Sequence, residues 1–97
     1  MPRILFTGAA RADLVDAVRW YDAHAPHVVP QFREALRTAL TRIADNPKQF
    51  PAFRENTRRA LLRGFPYIVV IRETGEAVYV VAVFHTSRDP LIWGRRS

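Results

Sequence analysis

A chain of 97 residues with a formal charge of +6 has room for one two-layer core and no independent second domain. It contains no cysteine, which excludes disulfide stapling, thiolate catalysis and cysteine-ligated zinc together, so the fold must hold by packing alone. The basic excess is uneven: residues 1–49 carry seven Lys/Arg against five Asp/Glu, and residues 50–97 carry eight against four, a field that favours a polyanionic or acidic partner as well as solubility.

The opening Met1-Pro2-Arg3-Ile4-Leu5-Phe6 is too short an apolar run for a signal peptide. The longest apolar stretch, Ala77 to Phe84, falls far short of a membrane span. A soluble cytoplasmic protein is therefore expected. Arg3 to Phe6 reads as a first strand. From Ala10 the period becomes helical, with Leu14, Val18 and Tyr21 on one side and Asp13, Asp16, Arg19 and Asp22 outward, until Ala25-Pro26 ends it. Phe32, Leu36, Leu40 and Ile43 repeat the spacing in a second helix, in which Pro30 is tolerable only in the first turn and which Asn46-Pro47 stops.

Phe50-Pro51-Ala52-Phe53 begins an irregular connection, after which Arg58 to Arg63 can form a strand. There Arg59 and Arg63 share a face with Leu61, and Arg58 lies opposite with Ala60 and Leu62. Gly64-Phe65-Pro66 turns the chain into a strand from Tyr67 to Arg72. The loop Glu73-Thr74-Gly75-Glu76 leads to the last strand, Ala77 to His85. The order predicts an α+β, two-layer β-α-α-β-β-β domain over residues 1–97, a helix hairpin packed on a mainly antiparallel twisted sheet. Strict alternation places Tyr79, Val81, Val83 and His85 on one face of the last strand and Val78, Val80, Ala82 and Phe84 on the other; both are apolar, so the strand is expected to be central.

Residues able to carry chemistry gather late in the chain. His85 can serve as a general acid or base, or as a plain hydrogen-bonding group at a strand end. Asp89-Pro90 suits the start of a helical turn that folds Ile92 or Trp93 onto the sheet. Trp93 can also stack on a base, with Arg88, Arg95 and Arg96 near phosphate; the two terminal arginines read equally as a solvated tail. Arg58, Arg59 and Arg63 form the other cationic cluster. Cleavage of RNA needs a base for the 2′-hydroxyl proton, cations for the phosphorane-like charge and an acid for the leaving oxygen. Arg59, Arg63, Arg88 and His85 supply charge and one proton carrier, and Tyr67 or Tyr79 is the only other candidate. His24 and His27 straddle Pro26 without a completing carboxylate, so neither a metal nor a cofactor is expected.

Ala12-Asp13-Leu14 with Trp20-Tyr21, the Phe32-Leu36-Leu40-Ile43 series with Asn46-Pro47, Phe50-Pro51, Arg59, Phe65-Pro66-Tyr67, and Ala82-Val83-Phe84-His85 with Arg88 and Trp93 follow in an order that resembles the RelE/ParE toxin superfamily of bacterial type II toxin-antitoxin systems. The Phe-Pro-Tyr and late-histidine pattern is the more ParE-like. The resemblance implies a small toxin neutralised by a cognate acidic antitoxin, which would fold on binding across the helix and sheet surfaces. On that reading Leu14, Val18, Tyr21, Phe32, Leu36 and Leu40 either meet the antitoxin or form core. ParE-like members poison DNA gyrase. RelE-like members cut messenger RNA in the ribosome, and for them Arg59, Arg63, His85 and Arg88 stand near the basic site, with Trp93 near the place of a catalytic tyrosine. Tryptophan has no hydroxyl to transfer a proton, and a lysine-rich segment is absent, which favours the gyrase inhibitor over the nuclease. Arg59, Arg63, His85, Arg88, Trp93, Arg95 and Arg96 are then target- or phosphate-binding candidates.

Overall fold

Short breaks in helical and strand periodicity decide where the elements stop. The computed structural model describes residues 2–87. Strand β1 is Arg3–Phe6 and helix α1 is Gly8–His24. Thr7 caps α1, its hydroxyl oxygen accepting from the Ala10 N–H at 3.1 Å, and so satisfies one of the backbone donors that a helix start leaves without a partner. The Ala25 N–H closes the far end on the Tyr21 carbonyl at 2.7 Å, and Pro26 forces a single 3-10 turn, Pro26–Val28. Helix α2 runs Val29–Asp45, with Pro30 in its first turn where no amide donor is needed. It ends at Asn46, whose side chain accepts from the Lys48 N–H at 3.1 Å and caps the 3-10 turn that follows, Pro47–Gln49.

The remaining strands are β2 (Arg58–Leu61), β3 (Tyr67–Thr74) and β4 (Ala77–His85), giving the β-α-α-β-β-β order expected from the sequence. In space the order is β1-β4-β3-β2. β2, β3 and β4 form the antiparallel meander, while β1 pairs parallel to β4 from Arg3↔Ala77 to Phe6↔Val80. The helices cover one face, closing Phe32, Ile43, Leu62, Val69, Ile71, Val78 and Val80 beneath them. No helix among the described residues is long and apolar enough to cross a membrane.

Strict alternation fails in β4. Val70 pairs with Ala82 but Ile71 pairs with Val80, leaving Val81 unmatched as a β-bulge. One extra residue reverses the face of everything beyond it. Val83 therefore joins the helix-side core with Val78 and Val80, whereas Ala82 and Phe84 turn to the open face with Ile68 and Val70. The groups the bulge displaces are recaptured by the start of α1. The Val83 N–H donates to Oδ2 of Asp13 at 3.0 Å, and the Thr7 hydroxyl reaches the Val81 carbonyl at 3.5 Å. Removing the carboxylate in Asp13→Ala orphans a nearly buried amide, and urea denaturation should show a loss of about 1–3 kcal/mol; a change below about 0.5 kcal/mol would place that amide in contact with water.

The connection before β2 is more regular than its sequence suggests. The Phe53 N–H donates to the Thr57 carbonyl at 2.8 Å and the Thr57 N–H to the Arg54 carbonyl at 2.9 Å, so residues 51–58 form a small hairpin. Its two central residues, Glu55 (φ 44°) and Asn56 (φ 63°), both adopt the left-handed conformation that this kind of hairpin turn requires. Asparagine tolerates it; glutamate does so at some strain. The β3–β4 turn is tighter than the predicted four-residue loop. β3 continues to Thr74, and Gly75, at φ 54°, makes the turn with Glu76.

Candidate functional surfaces

The described residues divide the expected site between two faces. β2 carries Arg59 and Leu61 on the open side of the sheet, opposite Val70 and Ile68, and Arg58 and Ala60 on the helix side, opposite Ile71 and Val69. Arg58 is consumed structurally: its guanidinium binds the Phe50 carbonyl at 2.8 Å and Glu73 at 3.3 Å. Arg59 is exposed and makes no side-chain bond among the described residues. β2 stops at Leu61, because Leu62 turns inward and Gly64 takes φ 85°. Arg63 thus lies in the turn rather than on the strand, exposed at the same end of the sheet as His85.

His85 is paired in register with Tyr67 on the helix side, their rings edge to face at 5.3 Å. Its Nδ1 accepts from the Ser87 N–H at 3.1 Å, which in the neutral ring leaves the proton on Nε2. Tyr67 is 3% exposed and belongs to an aromatic cluster with Tyr21, Phe32 and Phe65, all centroids within 6.1 Å of a neighbour. That packing removes Tyr67 as a proton carrier for an external substrate. Tyr79 is half-buried beside Arg72 on the open face, away from His85. The bulge is the reason Arg59 and His85 end on opposite sides. Without it His85 would share the open face with Arg59. Arg88, Trp93, Arg95 and Arg96, like the Asp89-Pro90 turn, lie outside the described residues.

Among the described residues no three His, Cys, Asp or Glu side chains converge as a metal site. His24 is engaged otherwise, its Nδ1 at 2.8 Å from the Trp20 carbonyl and its ring stacked on the Trp20 indole at 4.2 Å.

A different kind of surface lies on α2. Leu36, Leu40 and Ala44 are half-buried and, with Arg33, Arg37 and Thr41, line an open groove of about 480 Å³. Arg37 also pairs with Glu34 one turn before it. An apolar floor rimmed by guanidinium groups suits an amphipathic, acidic polypeptide. Leu14, Val18 and Tyr21 of α1 are half-buried against the core. Phe32 is 0% exposed and offers no surface at all.

A family model described as the ParE toxin of the type II toxin-antitoxin system parDE matches residues 4–90. The chain belongs to that family. Toxin ParE2 of Mycobacterium tuberculosis, in strains CDC 1551 / Oshkosh and ATCC 25618 / H37Rv, is 33% identical over 79 residues, covering 80% of this chain and 75% of the relative. A solved structure titled as the chromosomal ParDE toxin-antitoxin system from P. aeruginosa shares the fold, with a TM-score of 0.77 at 16% identity, over 90% of this chain and 98% of the other. The exposed Leu61, the Asp13 clasp on the bulge and the small hairpin ahead of β2 are features that periodicity alone does not reveal.

Proposed function

We propose that this chain is the toxin of a parDE-type module, silenced by a cognate acidic antitoxin seated on the α2 groove, and that the free toxin arrests growth by blocking DNA gyrase in the cytoplasm without catalysis of its own. The observation that supports a binding mechanism is the separation of Arg59 from His85. Phosphodiester cleavage needs cations and two proton carriers around one scissile bond. The cation on β2 and the imidazole on β4 face away from each other across the sheet, and Tyr67 is sealed in the core. Poisoning by contact requires no such convergence.

For the antitoxin, the support is complementarity: half-buried Leu36 and Leu40 beside Arg33 and Arg37, on a chain of net charge +6. An acidic segment docking there would be steered by the field and held by the apolar floor. Purified toxin added to gyrase should abolish supercoiling, and prior mixing with the antitoxin should restore it. Gyrase unaffected at large molar excess, together with new mRNA ends on induction that vanish in His85→Ala, would replace this reading with a ribosome-dependent nuclease.

A further inference from the structure

The hairpin of residues 51–58 is fixed at its arms, its base and its tip. The arms are tied by the Arg59 N–H on the Pro51 carbonyl at 3.1 Å, the bridge between Ala52 and Arg58, and the Phe53 N–H on the Thr57 carbonyl at 2.8 Å. Phe53 anchors the base to the open face of the sheet, its ring stacked on Phe84 at 6.3 Å and packed on the cluster that includes Ile68 and Val70. Thr57 is 3% exposed, the only buried polar side chain among the described residues, and its hydroxyl donates to the Arg54 carbonyl. From β3, the Arg72 guanidinium reaches the Glu55 carbonyl at 3.4 Å.

What this frame holds out is a carboxylate. The Arg54 guanidinium folds back to 5.9 Å from the centre of the Phe53 ring, leaving Glu55 and Asn56 at the exposed tip with φ 44° and 63°. Glycine would take the Glu55 conformation without the side-chain penalty. Glutamate there costs stability, and among the described residues its carboxylate makes no hydrogen bond or ion pair that would offset the cost. Elsewhere Glu34 pairs with Arg37, Glu73 with Lys48 and Arg58, and Asp13 with the Val83 amide. Strain held rigid at an exposed position points to recognition, and a tip already ordered loses little freedom on binding. The sign of the charge selects what it meets: an acidic antitoxin and a nucleic-acid phosphate are both repelled, whereas a surface bearing arginine or lysine is attracted.

We propose that the hairpin tip, Glu55 with Asn56, is a contact of the toxin with its protein target, the carboxylate receiving an arginine or lysine of a basic patch there and the Asn56 amide hydrogen-bonding beside it. The inference rests on the reading that the toxin acts by binding a protein, gyrase, and adds where on the chain and with what chemistry it does so. Phe53 seats the hairpin on the sheet face turned away from the helices, so the contact is separable by mutation from the α2 groove.

The test uses the full chain and two substitutions. Glu55→Gly relieves the backbone, so the urea midpoint should stay at or above that of the native chain, yet the potency of gyrase inhibition should fall at least about ten-fold. Glu55→Gln retains the backbone demand and loses only the charge, and potency should fall at least about five-fold. Both variants should bind the antitoxin with unchanged affinity in titration calorimetry. Inhibition within about two-fold of the native chain in both variants would overturn the proposal. So would a lowered midpoint in Glu55→Gly, which makes the carboxylate structural, or weaker antitoxin binding, which gives it to the antitoxin. Stronger inhibition by Glu55→Lys would assign the tip to nucleic acid instead, and a native dimer that Glu55→Gln dissolves would assign it to a second copy of the chain. Failure of the gyrase reading shows in the native chain itself, as supercoiling left intact. In that case the same variants are scored by growth arrest on induction at matched protein levels: weakened arrest upholds the tip as a target contact, and unchanged arrest overturns it.

Discussion

Leu40→Asp should leave the toxin folded and growth-inhibiting yet lower its affinity for the cognate antitoxin about 100-fold, close to 2.7 kcal/mol. Leu40 is half-buried and lines the α2 groove together with Arg33 and Arg37. An aspartate there removes apolar contact at the centre of the surface and sets a like charge against an acidic partner. Both effects weaken the complex, and central apolar anchors carry most of such an interface. Titration calorimetry with the purified antitoxin measures the change. A fall of less than about five-fold, roughly 1 kcal/mol, would move the interface off α2.

Phe32→Ala, about two turns earlier on the same helix, should act in the opposite way. Phe32 is fully enclosed, with its ring edge to face against Phe65 at 5.3 Å and Tyr67 at 5.5 Å. Truncation leaves a void that three aromatic neighbours, Tyr21, Phe65 and Tyr67, cannot refill without leaving their rotamers, a loss of about 3–5 kcal/mol. Set against a total of about 5–15 kcal/mol for a native domain, that removes much of the margin. Chemical denaturation should show the midpoint falling sharply, with antitoxin binding lost through unfolding rather than through contact. A loss near 1 kcal/mol would indicate that the cluster collapses around the gap.

The contrast between these two positions shows what periodicity can and cannot say. Phe32, Leu36, Leu40 and Ile43 share helical spacing, and spacing alone assigns them one stripe. The stripe is wide, and only packing against the sheet decides that Phe32 and Ile43 fall at its centre while Leu36 and Leu40 fall on its rim. The element order was legible because prolines, asparagine and glycine mark nearly every boundary, and both faces of the last strand read as apolar because β4 is central. The bulge at Val81 was not legible. A run of valines and alanine carries no glycine or polar residue to mark an extra residue, and its stabilisers, Asp13 and Thr7, lie far away in the chain. That single irregularity undid the expected grouping of Arg59 with His85. The hairpin at residues 51–58 was hidden for a related reason, since Glu55-Asn56 lacks the glycine that usually signals such a turn.

Because β1 lies parallel against β4, the first and last of the described strands are neighbours, and β4 is also the strand on which β3 and α1 close. A ribosome-bound chain that has not yet released residues 77–85 lacks the partner for every one of them. Closure is therefore deferred until residues 77–85 are available, with the long loop to be shut in one late step. Until then neither face of the sheet exists for any partner to recognise.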